Sequence, residues 1–431
     1  MRTVAGATVL VALIAILVVI DQRSDERSLD NFPPQDVVNR IVYVSPLGQI
    51  VTVSPDGTDP ITIAPIEGGF TWPTWSPNSR NIAFSAIVID DITATNQSFL
   101  YRFNTLNGRV NTMFIGKPGA TSLVANRAPH YAQWSPDNQK IAFIDSSTDG
   151  LKLYVVDAFS KSSARHLMDD GPIWFDWSQN SASLMVHRGI DHFFVDVETE
   201  TQTTVGIDSD QFGHRVAVWT PNGDAITYLS GSRFNGYVLN VSSTDGEVSE
   251  LVDGLPANAT FQWSPDGEAI AVSDPDVVST VPELGLLVFP DLTVYDAAGD
   301  TRLATIEAPV VSFFWSPDGT KIAFVVIAED FSALEWHVLE VSSGDTWKLV
   351  DFRPSVDQLT VFQFFEQYVQ SHEMWSPDSK SLVFAGTLTG RGRSISFTAQ
   401  QEPTQVYVVK VSRQPEVYTL AEGTLAFWSP K

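Results

Sequence analysis

From residue 40 onward the chain repeats short apolar runs set between polar turns. Ile82-Ala83-Phe84, Ile141-Ala142-Phe143 and Ile322-Ala323-Phe324 each follow a turn, and second runs such as Leu153-Tyr154-Val155-Val156 and Val406-Tyr407-Val408-Val409 come after them. Runs this short, bounded by Ser, Pro, Asp and Gly, predict strands and not helices. One stretch breaks the pattern. Residues 4–20 carry no charge, and 17 residues in a helix would reach roughly 26 Å, the short end of what crosses a bilayer.

The turns and the residues before them recur as a unit. A tryptophan precedes Ser-Pro-Asp-Gly or a near variant at Trp75, Trp134, Trp177, Trp219, Trp263, Trp315, Trp375 and Trp428, at spacings of 42 to 60 residues. A period near 50 built only from strands and turns marks a propeller. Proline at the second turn position presets φ, and Ser, Asp and Gly around it suit a tight type I turn. The tryptophans are expected to pack between neighbouring blades, where their large area is buried.

The ends set the blade count. The last piece, Thr424 to Trp428, supplies only a first strand, whereas Arg40–Ser45, Gln49–Ser54 and Asp59–Ala64 supply three strands and lack a first. One and three make a shared blade that removes two open sheet edges. The expectation is an all-β, eight-bladed propeller of four-stranded blades over residues 40–431, closed by N- and C-terminal strands in one blade. A single N-terminal transmembrane helix, an uncleaved signal anchor over residues 1–20, is expected to precede it. Residues 21–39, polar and broken by Pro33-Pro34, read as a linker. The expected location is a membrane with the propeller outside the cytoplasm, periplasmic or extracellular.

Composition narrows the partners. Lys and Arg total 26 against 51 Asp and Glu, a net charge of −25, which argues against nucleic acid and against docking of the folded part on anionic lipid. There is no cysteine, so disulfides, thiolate metal sites and cysteine nucleophiles are excluded together. No Gly-x-Ser-x-Gly elbow, His-Glu-x-x-His pair or phosphate-cradling glycine loop occurs. No cofactor is expected.

The repeats resemble those of the TolB-like propeller family, whose tryptophan-Ser-Pro-Asp-Gly motif also occurs in dipeptidyl-peptidase and prolyl-oligopeptidase propellers. The resemblance covers residues 40–431 and implies the fold more than an activity. TolB resembles a six-bladed ring behind an α/β domain, and here only the linker precedes the first strand. The peptidases add a hydrolase domain for which no chain remains.

Within a blade, the first strand leads down to the Ser-Pro-Asp-Gly turn on a lower face. The loop between strands two and three, and the crossover to the next blade, lie on the upper face. The lower turns 104–109, 158–164, 297–301 and 342–346 are short, whereas the long insertions 87–97, 117–129, 275–290, 353–371 and 387–403 are all upper. Binding tends to sit on long loops, so the upper face is expected to be functional. Two to five positions before three of the tryptophans stand His130, His214, Arg215, His372 and Glu373. They are read as solvated polar residues lining a channel, as a small-molecule or peptide pocket, or as a metal site. In oligogalacturonate lyases, propellers similar to this arrangement, histidines hold a divalent metal.

The expected function is a non-catalytic scaffold, a monomer that binds a protein or peptide through its upper face. The alternative is a metal-assisted lyase or hydrolase acting on an extracellular polysaccharide or peptide, with His130, His214 and His372 as ligands.

Overall fold

A computed structural model describes residues 26–28, 38–63, 69–90, 95–116, 131–147, 150–169, 171–207, 217–232, 234–243, 246–256, 259–273, 279–281, 286–389 and 403–431. Among these the strands fall into eight successive antiparallel units, numbered here from the one holding Trp75. Four stand as separate four-stranded sheets and unit one as a five-stranded sheet, while units five to seven share one continuous eleven-stranded sheet. Units five and six join through Arg302–Trp315, whose first half pairs with Leu286–Asp296 and whose second half pairs with Lys321–Ile327. The change of partner comes at Pro309, which has no N–H to give to either ladder. The short strand Glu26–Ser28 adds to the outer edge of unit one.

The last unit is built from both ends of the chain. Leu425–Trp428 pairs with Ile41–Val44, in the register Ile41↔Trp428 and Val42↔Phe427. Arg40 N–H donates to Ser429 Oγ at 2.9 Å, and Trp428 Nε1–H donates to Asn39 Oδ1 at 2.6 Å. Lys431 N–H reaches Ser79 Oγ in unit one at 3.1 Å, so the closing unit is tied to its other neighbour as well.

The repeated motif supplies the joints. In unit two Ser135 Oγ donates to Asp137 Oδ1 at 2.6 Å and accepts Lys140 N–H at 2.9 Å. The fourth turn position takes a left-handed backbone, with φ of +60° at Ser79, +65° at Asn138 and +68° at Gly319; glycine adopts this freely and asparagine tolerates it. Its side chain then serves the preceding unit, since Asp137 N–H donates to Ser181 Oγ at 3.0 Å and Asp318 N–H to Ser379 Oγ at 3.1 Å. Four of the indoles do the same one layer deeper. Trp134, Trp177, Trp315 and Trp375 donate Nε1–H to Thr74, Gln133, Gln262 and Phe314 carbonyls of the preceding unit at 3.0–3.2 Å.

Two expectations need correction. Among the described residues no helix is long and apolar enough to cross a membrane; the helices are α1, Val356–Gln363, and α2, Phe365–Tyr368, of eight and four residues. Residues 4–20, on which the transmembrane helix was expected, lie outside the described residues. The second correction concerns the insertion 353–371, which is not a free upper loop. Ser355 caps α1 by accepting Gln358 N–H at 3.0 Å, and Val361, Phe362, Phe365 and Tyr368 are all at most 3% exposed. So much apolar surface has to leave water, and the ring offers it the central channel. The segment descends from the upper face as a plug.

Candidate functional site

The plug touches units on every side of the axis. Trp72 of unit one stacks on Tyr368 with ring centroids 5.0 Å apart. It does so from a left-handed backbone, φ +51°, at a break in the strand register between Thr71 and Thr74, a conformation costly for a bulky residue. Tyr131 of unit two donates its hydroxyl to Gln367 O at 3.0 Å, and Gln367 Nε2–H donates to Phe175 O of unit three at 3.0 Å. Thr260 of unit five donates to Glu366 Oε1 at 2.5 Å, and Phe365 packs among Phe289, Phe313 and Phe314. Ala385 N–H of unit seven donates to Gln358 Oε1 at 3.1 Å, and Thr424 of unit eight donates to Asp357 Oδ2 at 2.7 Å.

His372 belongs to this seat. It is 3% exposed, with Nε2 at 3.0 Å from Thr74 Oγ1 and Nδ1 at 2.6 Å from Ser371 Oγ, between the Tyr368 and Phe427 rings. Burial pushes its pKa down to about 3, so the ring is neutral at physiological pH. Both nitrogens are engaged by hydroxyls. His130, His214 and Arg215 lie outside the described residues. Among the described residues no group of three His, Asp or Glu side chains could hold a metal ion.

Below the plug the channel is open. A cavity of about 540 Å³ is walled by Trp134, Trp177, Trp219, Trp263, Trp315 and Trp375, with Val369, Gln370, Glu373 and Met374 above it. Its rim is formed by the turn prolines, among them Pro265 and Pro317, which are exposed to solvent. The volume is that of a small-ligand site. It opens on the lower face, opposite to the long insertions.

Its polar groups sit mainly at the position just before each tryptophan. Asp176 is 6% exposed; its Oδ2 accepts Trp219 N–H at 2.9 Å and its Oδ1 accepts Gln133 Nε2–H at 3.4 Å. Gln262 Oε1 likewise accepts Trp315 N–H at 3.3 Å. Burial raises Asp176 to about 6 despite these bonds. Glu373, two places before Trp375, is half-buried at the cavity surface, and withdrawal from bulk water raises it to about 7. Its carboxyl has no hydrogen-bond or ion-pair partner among the described residues. Of the two sequence candidates among the described residues, then, Glu373 faces this cavity without a partner, whereas His372 is engaged at both nitrogens. Asp176, Gln133 and Gln262 were missed. The signal for them was a polar residue directly before the repeat tryptophan, where Val218, Phe314, Met374 and Phe427 stand in other units.

The fold is a β-propeller, and solved propeller structures match across most of the chain. Dihydro-heme d1 dehydrogenase NirN is 10% identical with a TM-score of 0.56, over 94% of this chain and 80% of its own. A eukaryotic initiation factor is 12% identical with a TM-score of 0.53, over 91% and 98%. TolB from Acinetobacter baumannii is 14% identical with a TM-score of 0.41, over 92% and 68%. At such identities the likeness is one of fold. No protein-family model and no curated protein sequence matches the chain.

Proposed function

We propose that the protein is a non-catalytic scaffold that binds a protein or peptide through its upper face. The observation carrying this reading is the chemistry of the turns between second and third strands. Leu47, Ile190, Phe234 and Phe331, in units eight, three, four and six, stand in such turns and are 80%, 50%, 87% and 69% exposed. The Ser-Pro-Asp-Gly turns of the other face present Asp137, Asp266, Asp318 and Asp378 to water, and the exposed Leu106 and Phe159 on that side stand in the turns between third and fourth strands of units one and two. Single exposed apolar residues are ordinary, but a set repeated at one position around one face is the pattern of a contact surface. Val356, 73% exposed at the start of α1, lies on the same side.

The test replaces Leu47, Ile190, Phe234 and Phe331 together by serine. Capture of a partner by the full chain from its native extract is expected to be lost, with thermal unfolding unchanged because none of the four is in the core. Capture of the same partner by the fourfold variant would refute the face assignment.

A further inference from the structure

We propose that Asn235 is a site of spontaneous deamidation, a modification that sets a carboxylate beside Phe234 on the upper face as the protein ages. The pair Asn-Gly occurs at Asn107-Gly108, Asn222-Gly223 and Asn235-Gly236. In this pair the backbone nitrogen after the asparagine reaches the amide carbon most readily, because glycine has no Cβ to hold it off. The fold treats the three differently.

Two are locked in turns of the lower face. Gly108 N–H donates to Asn104 O at 2.9 Å, and Asn107 Oδ1 accepts Arg109 N–H at 3.1 Å. Gly223 N–H donates to Thr220 O at 2.8 Å, and a Cβ at Gly223 would meet the Gln179 side chain at 2.7 Å. In both, the nitrogen that would attack is the donor that closes the turn. The third turn is built otherwise. Asn235 N–H closes it, donating to Ser232 O at 3.1 Å, one residue before the glycine. The Asn235 side chain is exposed and makes no hydrogen bond among the described residues. Gly236 has φ +83° and open space around it, with only Leu255 O near a Cβ position, at 3.7 Å.

The reaction needs only water. Gly236 N loses its proton to hydroxide and bonds to Asn235 Cγ. The Cγ–Nδ2 bond breaks, and Nδ2 takes a proton from water and leaves as ammonia. Water then adds to either carbonyl of the cyclic imide and opens it to aspartate or isoaspartate. Both carry a charge that the amide lacked, and isoaspartate also lengthens the main chain by one carbon. Just below, Gly231 pairs with Tyr237, which is 2% exposed, so the strands stay anchored and the change is confined to the tip. Phe234, 87% exposed, adjoins the new carboxylate. On the contact-face reading given above, a partner covering this tip would then have to strip water from a charge.

Warm incubation of the full chain at pH 7 and pH 9, followed by peptide mapping in a mass spectrometer and by methyl transfer from an isoaspartate methyltransferase, tests this. Conversion at Asn235 is expected to run several-fold faster than at Asn107 and Asn222, and faster at pH 9 than at pH 7. Asn235→Gln is expected to lose most of the methyl acceptance. An Asn235 amide that stays intact while the urea-unfolded chain converts, or equal rates at the three sites in the folded chain, would overturn the proposal. Aged parent chain is expected to capture less partner than aged Asn235→Gln. Equal capture by the two, with conversion seen in the mass spectrum, would refute the effect on the face.

Discussion

Four buried titratable groups pull the stability of this protein in opposite directions. His192 and His372 are driven down to about 3 by burial, with the charge of His187 adding to the effect at His192. Below the ordinary imidazole value of 6.5 the unfolded chain takes up protons that the native rings refuse, so their contribution is lost as pH falls from about 6.5 toward 3. Asp176 and Glu373 act the other way. Raised to about 6 and about 7, they hold protons in the native state that the unfolded chain has released, and stability is lost as pH rises through 4 to 7. Glu373→Gln removes one of these losses. Its melting temperature is expected to exceed that of the parent at pH 8, by a margin that shrinks toward pH 5. An unchanged or lower melting temperature at pH 8 would show that the Glu373 carboxyl is not held out of water. His187 and His192, stacked with centroids 4.4 Å apart on adjacent strands, are placed inside unit three and not in the channel.

At the scale of elements, the joint between units depends on the indole N–H as well as on its area. Trp177 Nε1–H bonds the Gln133 carbonyl at 3.2 Å, whereas Trp219 Nε1–H is buried with no partner. Replacing each by phenylalanine removes similar surface but only one hydrogen bond. Urea unfolding is therefore expected to show Trp177→Phe less stable than Trp219→Phe by about 1 kcal/mol. Equal losses would reduce the tryptophans to space-fillers. This grammar was legible in the sequence because it is local: a turn signature, an aromatic before it and an alternating run after it. The plug was half legible. Ser355-x-x-Gln358 is a helix-start signature, and Leu359, Phe362 and Phe365 follow at helical spacing. What they pack against is spread over units one to eight, and no local signal carries that.

For the whole molecule, closure is the feature that the ends of the sequence disclosed, because an unmatched strand at one terminus and three at the other leave little choice. The filling of the channel was not disclosed in this way. Insertion length pointed upward, but one of those insertions fills the upper half of the channel, and the accessible cavity lies below it. A chain ending at Gly423 lacks the strand Leu425–Trp428 together with the Thr424 contacts to α1. Such a truncation is expected to lose the single cooperative unfolding transition and to elute larger than its mass by size exclusion. A sharp transition at the parent midpoint would mean that the shared unit adds nothing.

The plug also changes how this repeat protein must behave as a folding system. In an open array each repeat leans only on its two neighbours, so stability is a sum of local terms and part of the array can exist without the rest. Here Tyr368 meets Trp72 across nearly three hundred positions of sequence, and the same short segment meets Phe175 and Phe313 from other directions. Energy that would have been divided among local pairs is pooled at a hub. Loss of any one spoke is then felt by blades that never touch it, and half-assembled rings have no stable resting point.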